Sequence, residues 1–326
     1  MNKKNYFDKA VLLLSVIIAF YVGLILFSDF SSISELNIDF QLIYLPIIIL
    51  MMVSYTFISS FKFYRLLQQL DKPIPYTKSI SIYLAGLSLA LTPGGIGTAI
   101  KSKLLKQYFG YSISSTFPVI VLERWTELIA VAITVGVLLL WSNFLESQIV
   151  FVLGIFFIIS FSILISKSKT FFIIKKIILK IKFFQKFYNS FDESEESFKI
   201  LMKKKNLLEI ILLSLPTKII QLFTVYFVFL LVGLDFDFFN LGQIYYTSLL
   251  IGNLSFLPAG IIVTETGMIA MLVNYGTNFT IATLGVILLR LLTTWALTIT
   301  GTLTYYLKFK NFNNKFTNNT SNESYK

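Results

Sequence analysis

A chain of 326 residues that is 56% hydrophobic and 14% charged, with a mean hydropathy of +0.75, lies far from the balance of a soluble domain, in which about a quarter of the residues carry charge. It contains no cysteine and no histidine, which excludes a disulfide framework, a thiol nucleophile, a Cys- or His-ligated metal site and the commonest general base. The net charge of +11 would point a soluble protein towards nucleic acid, but in so apolar a chain it points to cytoplasmic loops and anionic headgroups; no nucleic-acid partner, metal or cofactor is expected.

A membrane-spanning helix needs about 20 consecutive apolar residues. Six runs qualify: Ala10–Ser28, Gln41–Phe61, Phe117–Trp141, Ile149–Ser166, Leu207–Gly233 and Asn278–Leu307. The first is expected to stay in the protein, because its apolar run is long and no small-x-small cleavage site follows it. Two further stretches, Ser79–Gln107 and Gln243–Tyr275, are apolar but broken near the middle by Pro93-Gly94-Gly95-Ile96-Gly97 and Pro258-Ala259-Gly260. Proline removes a donor and clashes with the preceding turn, and glycine weakens a helix further, so a straight span through either cluster is disfavoured.

Lysine and arginine placement sets the orientation. Lys3, Lys4 and Lys9 precede the first span, whereas only Asp29, Glu35 and Asp39 follow it. Lys62, Arg65, Lys72 and Lys78 follow the second, and 167–206 holds eleven lysines against four acids. The next connection carries Asp235 and Asp237, and the tail carries Lys308, Lys310 and Lys315. Both termini and the two basic loops are therefore expected on the cytoplasmic side of the cell membrane. With Lys78 and Lys101, Lys103 and Lys106 all inside, Ser79–Gln107 must enter and return on one side, as a re-entrant pair of half-helices. The same reasoning gives Gln243–Tyr275 a second hairpin, entered from outside.

Both halves then read span, span, hairpin, span. Corresponding starts are offset by 139 residues for the first spans and by 166 and 161 for the others, and the basic loop is 28 residues longer than its counterpart, which absorbs the difference. One half starts inside and the other outside, so the repeats are inverted, as in many secondary transporters. The expected fold is an all-α polytopic membrane protein with six full transmembrane helices plus two re-entrant helical hairpins arranged as an inverted repeat. It forms a single domain over 1–310, with halves at about 10–141 and 149–307. Residues 311–326, rich in Asn, Ser and Thr, read as a disordered tail, and the lysine-rich 171–187 as an amphipathic helix on the inner leaflet.

An ionised side chain at mid-membrane costs about 2.5–3.5 kcal/mol even on the lenient insertion scale. Glu123, Arg124 and Glu127 lie about 9–15 Å into the third full span and Arg290 about 18 Å into the last, at 1.5 Å per residue. Lys101 and Glu265 lie within a turn or two of the hairpin breaks, and Lys218, beside Pro216, is intramembrane without an assigned role. Only three arginines occur, Arg65, Arg124 and Arg290, and two of them fall within spans, where a planar fork of donors suits phosphate or carboxylate. Half-helices beginning near Thr98 and Thr264 would add unsatisfied N–H groups suited to an anion, with threonine as a cap. The candidate substrate-binding residues are Thr98, Lys101, Glu123, Arg124, Glu127, Thr264, Glu265 and Arg290, with Pro93, Gly94, Gly95, Gly97, Pro258 and Gly260 forming the breaks; no catalytic residue is assigned. Two plainer readings stay open: Arg124 with Glu127 and Arg290 with Glu265 as structural pairs, and the Pro/Gly clusters as simple kinks.

Four blocks carry a resemblance: Leu91-Thr92-Pro93-Gly94-Gly95-Ile96-Gly97-Thr98-Ala99-Ile100-Lys101; Val121-Leu122-Glu123-Arg124-Trp125-Thr126-Glu127; Leu257-Pro258-Ala259-Gly260-Ile261-Ile262-Val263-Thr264-Glu265; and Arg290-Leu291-Leu292-Thr293-Thr294-Trp295. In order and spacing they resemble the flippase-like membrane domain of the lysylphosphatidylglycerol synthases and their relatives. Departures from the usual pattern are Thr98 and Lys101 in place of an acidic residue and an arginine, Thr264 in place of a basic residue, and Glu127 in place of an aspartate. About twenty residues follow the last span, so the aminoacyltransferase domain of the synthases is not expected and synthase activity is not implied. The resemblance implies movement of a lipid or lipid-linked substrate between leaflets.

The first expectation for function is therefore a flippase-like protein that moves an anionic or aminoacylated phospholipid, or a polyprenyl-phosphate-linked lipid. Its partners would be the membrane lipid substrate, anionic inner-leaflet lipids, a lipid-modifying enzyme that supplies the substrate, and further copies of the chain. The alternative is a membrane-embedded enzyme or enzyme subunit, glycosyltransferase-like, acting on lipid-linked substrates through an acid pair such as Asp235/Asp237 or Glu123/Glu127.

Overall fold

The structure, a computed structural model, describes residues 21–23, 40–89, 97–141, 144–166, 188–255, 257 and 260–322. Among these the chain is helical, without strands. Eleven α-helices follow one another: α1 (Leu45–Gln69), α2 (Tyr76–Leu87), α3 (Ile100–Phe109), α4 (Ile113–Leu138), α5 (Leu145–Ser166), α6 (Tyr188–Leu201), α7 (Lys204–Leu231), α8 (Phe238–Leu254), α9 (Val263–Asn274), α10 (Phe279–Arg290) and α11 (Ala296–Asn322). A π-helical turn, Leu291–Trp295, joins the last two into one continuous rod. Helical backbone extends to Asn322, through part of the segment whose composition reads as disordered. The amphipathic segment expected over 171–187 and nearly all of the first span, Ala10–Ser28, lie outside the described residues.

Four described stretches are long and apolar enough to cross a bilayer: Leu42–Gln69, Leu145–Ile163, Lys204–Leu231 and Phe279–Phe309. Helix α4 has the length as well, 26 residues or about 39 Å at 1.5 Å per residue, but carries Glu123, Arg124 and Glu127 in its interior. The helix ends follow local chemistry. Ser112 caps α4 by accepting the Ser115 amide (3.2 Å), Asp237 caps α8 by accepting that of Asn240 (2.8 Å), and Asn278 caps α10 by accepting that of Thr280 (2.8 Å). Gly110, at φ +72°, closes α3 in the left-handed conformation. Asp237, read from sequence as half of an acid pair, is thus a helix cap, and Asp235 accepts a hydrogen bond from the Tyr226 hydroxyl at 3.4 Å.

The two Pro/Gly clusters fall between helices. α2 ends at Leu87 and α3 begins at Ile100; α8 ends at Leu254 and α9 begins at Val263. Each flanking pair packs together, α2 against α3 and α8 against α9. With 12, 10 and 12 residues, α2, α3 and α9 are too short to cross a bilayer, since a span needs about 20. Pro93, Gly94, Gly95 and Pro258 lie outside the described residues; Gly97 opens a short 3-10 turn over 97–99, and Gly260 has φ +67°.

Helix α4 is the hub, touching α1, α3, α5, α6, α7 and α8. Its buried Val119, Leu122, Val131 and Val135 interleave with Phe63 and Leu67 of α1 and Val225 and Val228 of α7 in one continuous core. Helix α11 crosses α2 at Gly301, where an added Cβ would come within 2.6 Å of the Leu84 carbonyl oxygen and the Ser88 amide nitrogen. Both are backbone atoms that no rotamer change can move, so close approach at a small residue holds this pair together. Gly301→Ala is expected to cost about 1–3 kcal/mol, measurable as a lower unfolding midpoint in detergent.

The acidic helix α6 docks on the start of α4. The Ser112 and Ser114 hydroxyls both donate to Glu193 Oε2 (2.5 Å each), and Ser194 Oγ donates to the Ser114 carbonyl (2.7 Å). Those two donors, Ser112 foremost, hold the Glu193 carboxyl below its ordinary range. A depressed folded-state pKa contributes stability that is present above the unfolded value of about 4.3 and is lost as pH falls through the folded value. Glu193→Gln is therefore expected to speed amide exchange across 188–201 at neutral pH slightly, and acidification below about pH 4 to do the same to the unaltered protein.

Candidate functional site

All but one of the charges that the sequence places at membrane depth are held by tertiary contacts, and most of the partners are far apart in sequence. Glu127, on α4, sits between two lysines: Lys62 of α1 and Lys218 of α7, the latter at 2.5 Å. Lys62 also donates to Ser214 Oγ (3.2 Å) and Lys218 to Gln221 Oε1 (2.9 Å). By sequence Lys62 reads as a charge that follows the second span; α1 instead continues to Gln69 and buries Lys62 completely, at 0% exposure. Lys218, without a role in the sequence reading, is the second clamp on the same carboxylate.

Glu123, one turn earlier on α4, pairs with Lys101 of α3 at 2.5 Å, and both are buried. The Lys101 ammonium lies 4.8 Å from the Phe63 ring centre and 5.1 Å from that of Tyr83, which places it against two aromatic faces. Gly86 makes room for its stem: a Cβ there would come within 2.5 Å of Lys101 Cγ. In α9, Glu265 is fully buried and accepts from Arg290 Nε (2.8 Å) and from the Tyr21 hydroxyl (3.2 Å), all at Oε1. Among the described residues Glu265 Oε2 and Arg290 Nη2 are buried without a hydrogen-bond partner, while Arg290 Nη1 donates to Thr294 Oγ1 at 3.2 Å. The pairing of Arg290 with Glu265 is the one weighed from sequence. That of Arg124 with Glu127 is replaced by the two lysines.

Arg124 stands apart. It has no ion pair or hydrogen bond among the described residues, and it is exposed. What it faces is a cavity of about 440 Å³ bounded by α1, α4, α5, α7, α8 and the rod of α10 and α11. The wall is divided in kind. Arg124, Glu127, Lys218, Gln221, Arg290, Thr293 and Thr294 supply polar groups; Phe117, Trp125, Leu128, Phe157 and Phe161 supply an apolar flank. Trp125 and Phe161 meet at 4.3 Å between ring centres, closing that flank between α4 and α5. Leu257 and Gly260, from the second Pro/Gly block, border the cavity as well. The π turn directly after Arg290 resets the helical phase so that Thr293, Thr294 and Leu297 line the cavity together.

The remaining candidates stand behind the wall. Thr98, Lys101, Glu123, Thr264 and Glu265 are buried and do not line the cavity. Neither threonine is a cap. The residue before α3 is Ala99 and that before α9 is Ile262, neither with a side-chain capping bond. Thr264 lies inside the first turn of α9, its hydroxyl buried without a partner among the described residues and so close to Gly252 that a Cβ there would approach within 1.9 Å. Ile262 holds φ +78° and ψ −58°, a strained γ-turn conformation for a β-branched residue. A turn of this kind is kept only where surrounding packing imposes it, and here it leads directly into Glu265.

Of the four blocks Leu91–Lys101, Val121–Glu127, Leu257–Glu265 and Arg290–Trp295, the last three border the cavity, and the described part of the first, Gly97–Lys101, stands behind it. The family model described as the lysylphosphatidylglycerol synthase TM region matches residues 12–301. The chain belongs to this family. No curated protein and no solved structure matches it. As a member of the lysylphosphatidylglycerol synthase TM family it is a membrane protein connected with lipid, and the division of its cavity into polar and apolar walls is what one amphiphile would need. Cavities of a few hundred Å³ with convergent polar groups are the usual form of a small-molecule site.

Proposed function

We propose that the protein moves a lipid with an anionic headgroup between the leaflets of the cell membrane, and that the cavity holds the headgroup in transit. The observation that carries this reading is Arg124, an intramembrane guanidinium without a protein partner among the described residues, opening on a cavity that also carries Arg290 and an aromatic flank. An uncompensated charge at that depth is costly, and an anion supplied by the ligand removes the cost. Arg124 would take the headgroup by its paired donors and Arg290 would assist. Lys62, Lys218 and Glu127 would fix the field around it, and the apolar flank would admit the upper part of an acyl chain.

In this reading the α2–α3 and α8–α9 pairs are the re-entrant hairpins of an inverted repeat with six full spans and cytoplasmic termini. Rocking of one half against the other would expose the cavity to each leaflet. The shortness of α2, α3 and α9 and the distribution of lysines support it. The sequence contains no G-x-x-x-x-G-K-[ST] loop, so a gradient, the membrane potential or substrate supply would drive the cycle. Leaflet-resolved transfer of labelled phospholipid in proteoliposomes is the test. Transfer that depends on Arg124 and Arg290 supports the reading, and transfer unchanged in Arg124→Ala and Arg290→Ala overturns the site. Recovery of chemically altered lipid would favour an enzyme instead.

A further inference from the structure

We propose that the cavity selects a lipid whose head carries two negative charges, a phosphomonoester, over singly charged phosphodiester heads and over aminoacylated, net-cationic ones. The inference deepens the reading above and rests on it.

Among the described residues five cations, Lys62, Lys101, Arg124, Lys218 and Arg290, meet three carboxylates, Glu123, Glu127 and Glu265, leaving a net of two positive charges around the cavity and behind its wall. Where the excess sits is informative. Lys101 with Glu123 and Arg290 with Glu265 are one-to-one pairs. Glu127 is shared by two lysines, which leaves one unit, and Arg124 supplies the other. Arg124, Glu127 and Lys218 all line the cavity. Arg124 and Glu127 are three residues apart on α4, one turn, where Cβ atoms are about 5–6 Å from each other. The two uncompensated charges thus border one space of headgroup size.

A phosphomonoester carries a charge of about −1.5 to −2 near neutral pH and presents three acceptor oxygens. It neutralises the excess and offers an oxygen edge to the Arg124 fork. A phosphodiester leaves one buried positive charge unmet. An aminoacylated phosphodiester brings an ammonium into a pocket already positive, and such like-charge juxtaposition is how a site rejects a competitor. Free inorganic phosphate shares the recognised chemistry but has no chain for the Trp125–Phe161 flank.

The test is binding of four probes to the full chain in phosphatidylcholine nanodiscs, read by native mass spectrometry: phosphatidic acid, phosphatidylglycerol, lysylphosphatidylglycerol and inorganic phosphate. Phosphatidic acid is expected to be retained about tenfold or more over phosphatidylglycerol, and lysylphosphatidylglycerol least. Arg124→Gln is expected to erase the preference and Arg124→Lys to keep part of it. Equal retention of phosphatidylglycerol or lysylphosphatidylglycerol overturns the inference, and displacement of phosphatidic acid by equimolar inorganic phosphate reassigns the site to the free ion and overturns it too. Leaflet transfer measured on the same preparations separates this failure from that of the transport reading: rapid transfer without headgroup preference removes the charge selection alone.

Discussion

Replacing Glu127 by glutamine is expected to lower stability by about 3–5 kcal/mol, the usual consequence of removing one partner from a buried ionic group. Lys62 and Lys218 share that carboxylate from two different helices, and both are buried. With glutamine in place, two ammonium groups face one another, with Ser214 and Gln221 as their only other hydrogen-bond acceptors among the described residues. The link joining α1, α4 and α7 at the centre of the fold is then lost. The unfolding midpoint in a fixed detergent measures the effect. Lys62→Met added to Glu127→Gln is expected to restore part of it, because one of the two stranded charges is then gone. A midpoint unchanged by Glu127→Gln would mean that the lysines do not depend on it.

The second large effect separates two arginines that look alike in sequence. Arg124→Gln is expected to leave the unfolding midpoint unchanged or slightly raised, since no partner among the described residues loses its counter-charge. Arg124→Gln should nevertheless reduce headgroup affinity by roughly ten- to hundredfold, given about 1.5–3 kcal/mol for hydrogen bonds to a charged group. Arg290→Gln strands Glu265, a carboxylate at 0% exposure that already has one oxygen unpaired among the described residues, so stability and transfer are both expected to fall. Midpoint and transfer rate measured together on the two variants check the distinction. Equal loss of stability in both would show that Arg124 is a strut as well.

Much of the fold was legible because the signals were local. The two Pro/Gly clusters stand where helix ends fall, and the apolar runs over 41–61, 149–166, 207–233 and 278–307 correspond to four long helices. The error at Lys62 shows what hydropathy misses. The apolar run stops at Phe61, yet Phe63, Leu66, Leu67 and Leu70 continue a buried helical face, and Lys62 is one turn from Ser59 and Leu66 on it. That spacing could have placed it inside. The pairings themselves were not legible: Lys62 and Lys218 reach Glu127 across 65 and 91 residues, and nothing short-range announces them. The π turn after Arg290 is equally silent in sequence, since Leu291–Trp295 contains neither proline nor glycine to announce a break in the helix. Arg124 was found because arginine is rare here and deep placement is costly. What the sequence could not tell was that, of the cations it places at membrane depth, this one lacks a partner among the described residues while Lys101 is spent on Glu123.

The most direct measurement is lipid mass spectrometry on the unaltered protein and on Arg124→Gln, purified side by side from the same membranes. Enrichment of a phosphate-bearing lipid with the unaltered protein, and its loss from the variant at equal fold stability, is the predicted result. The same lipids in the same amounts from both preparations would contradict the account, because the cavity would then hold no headgroup that Arg124 recognises.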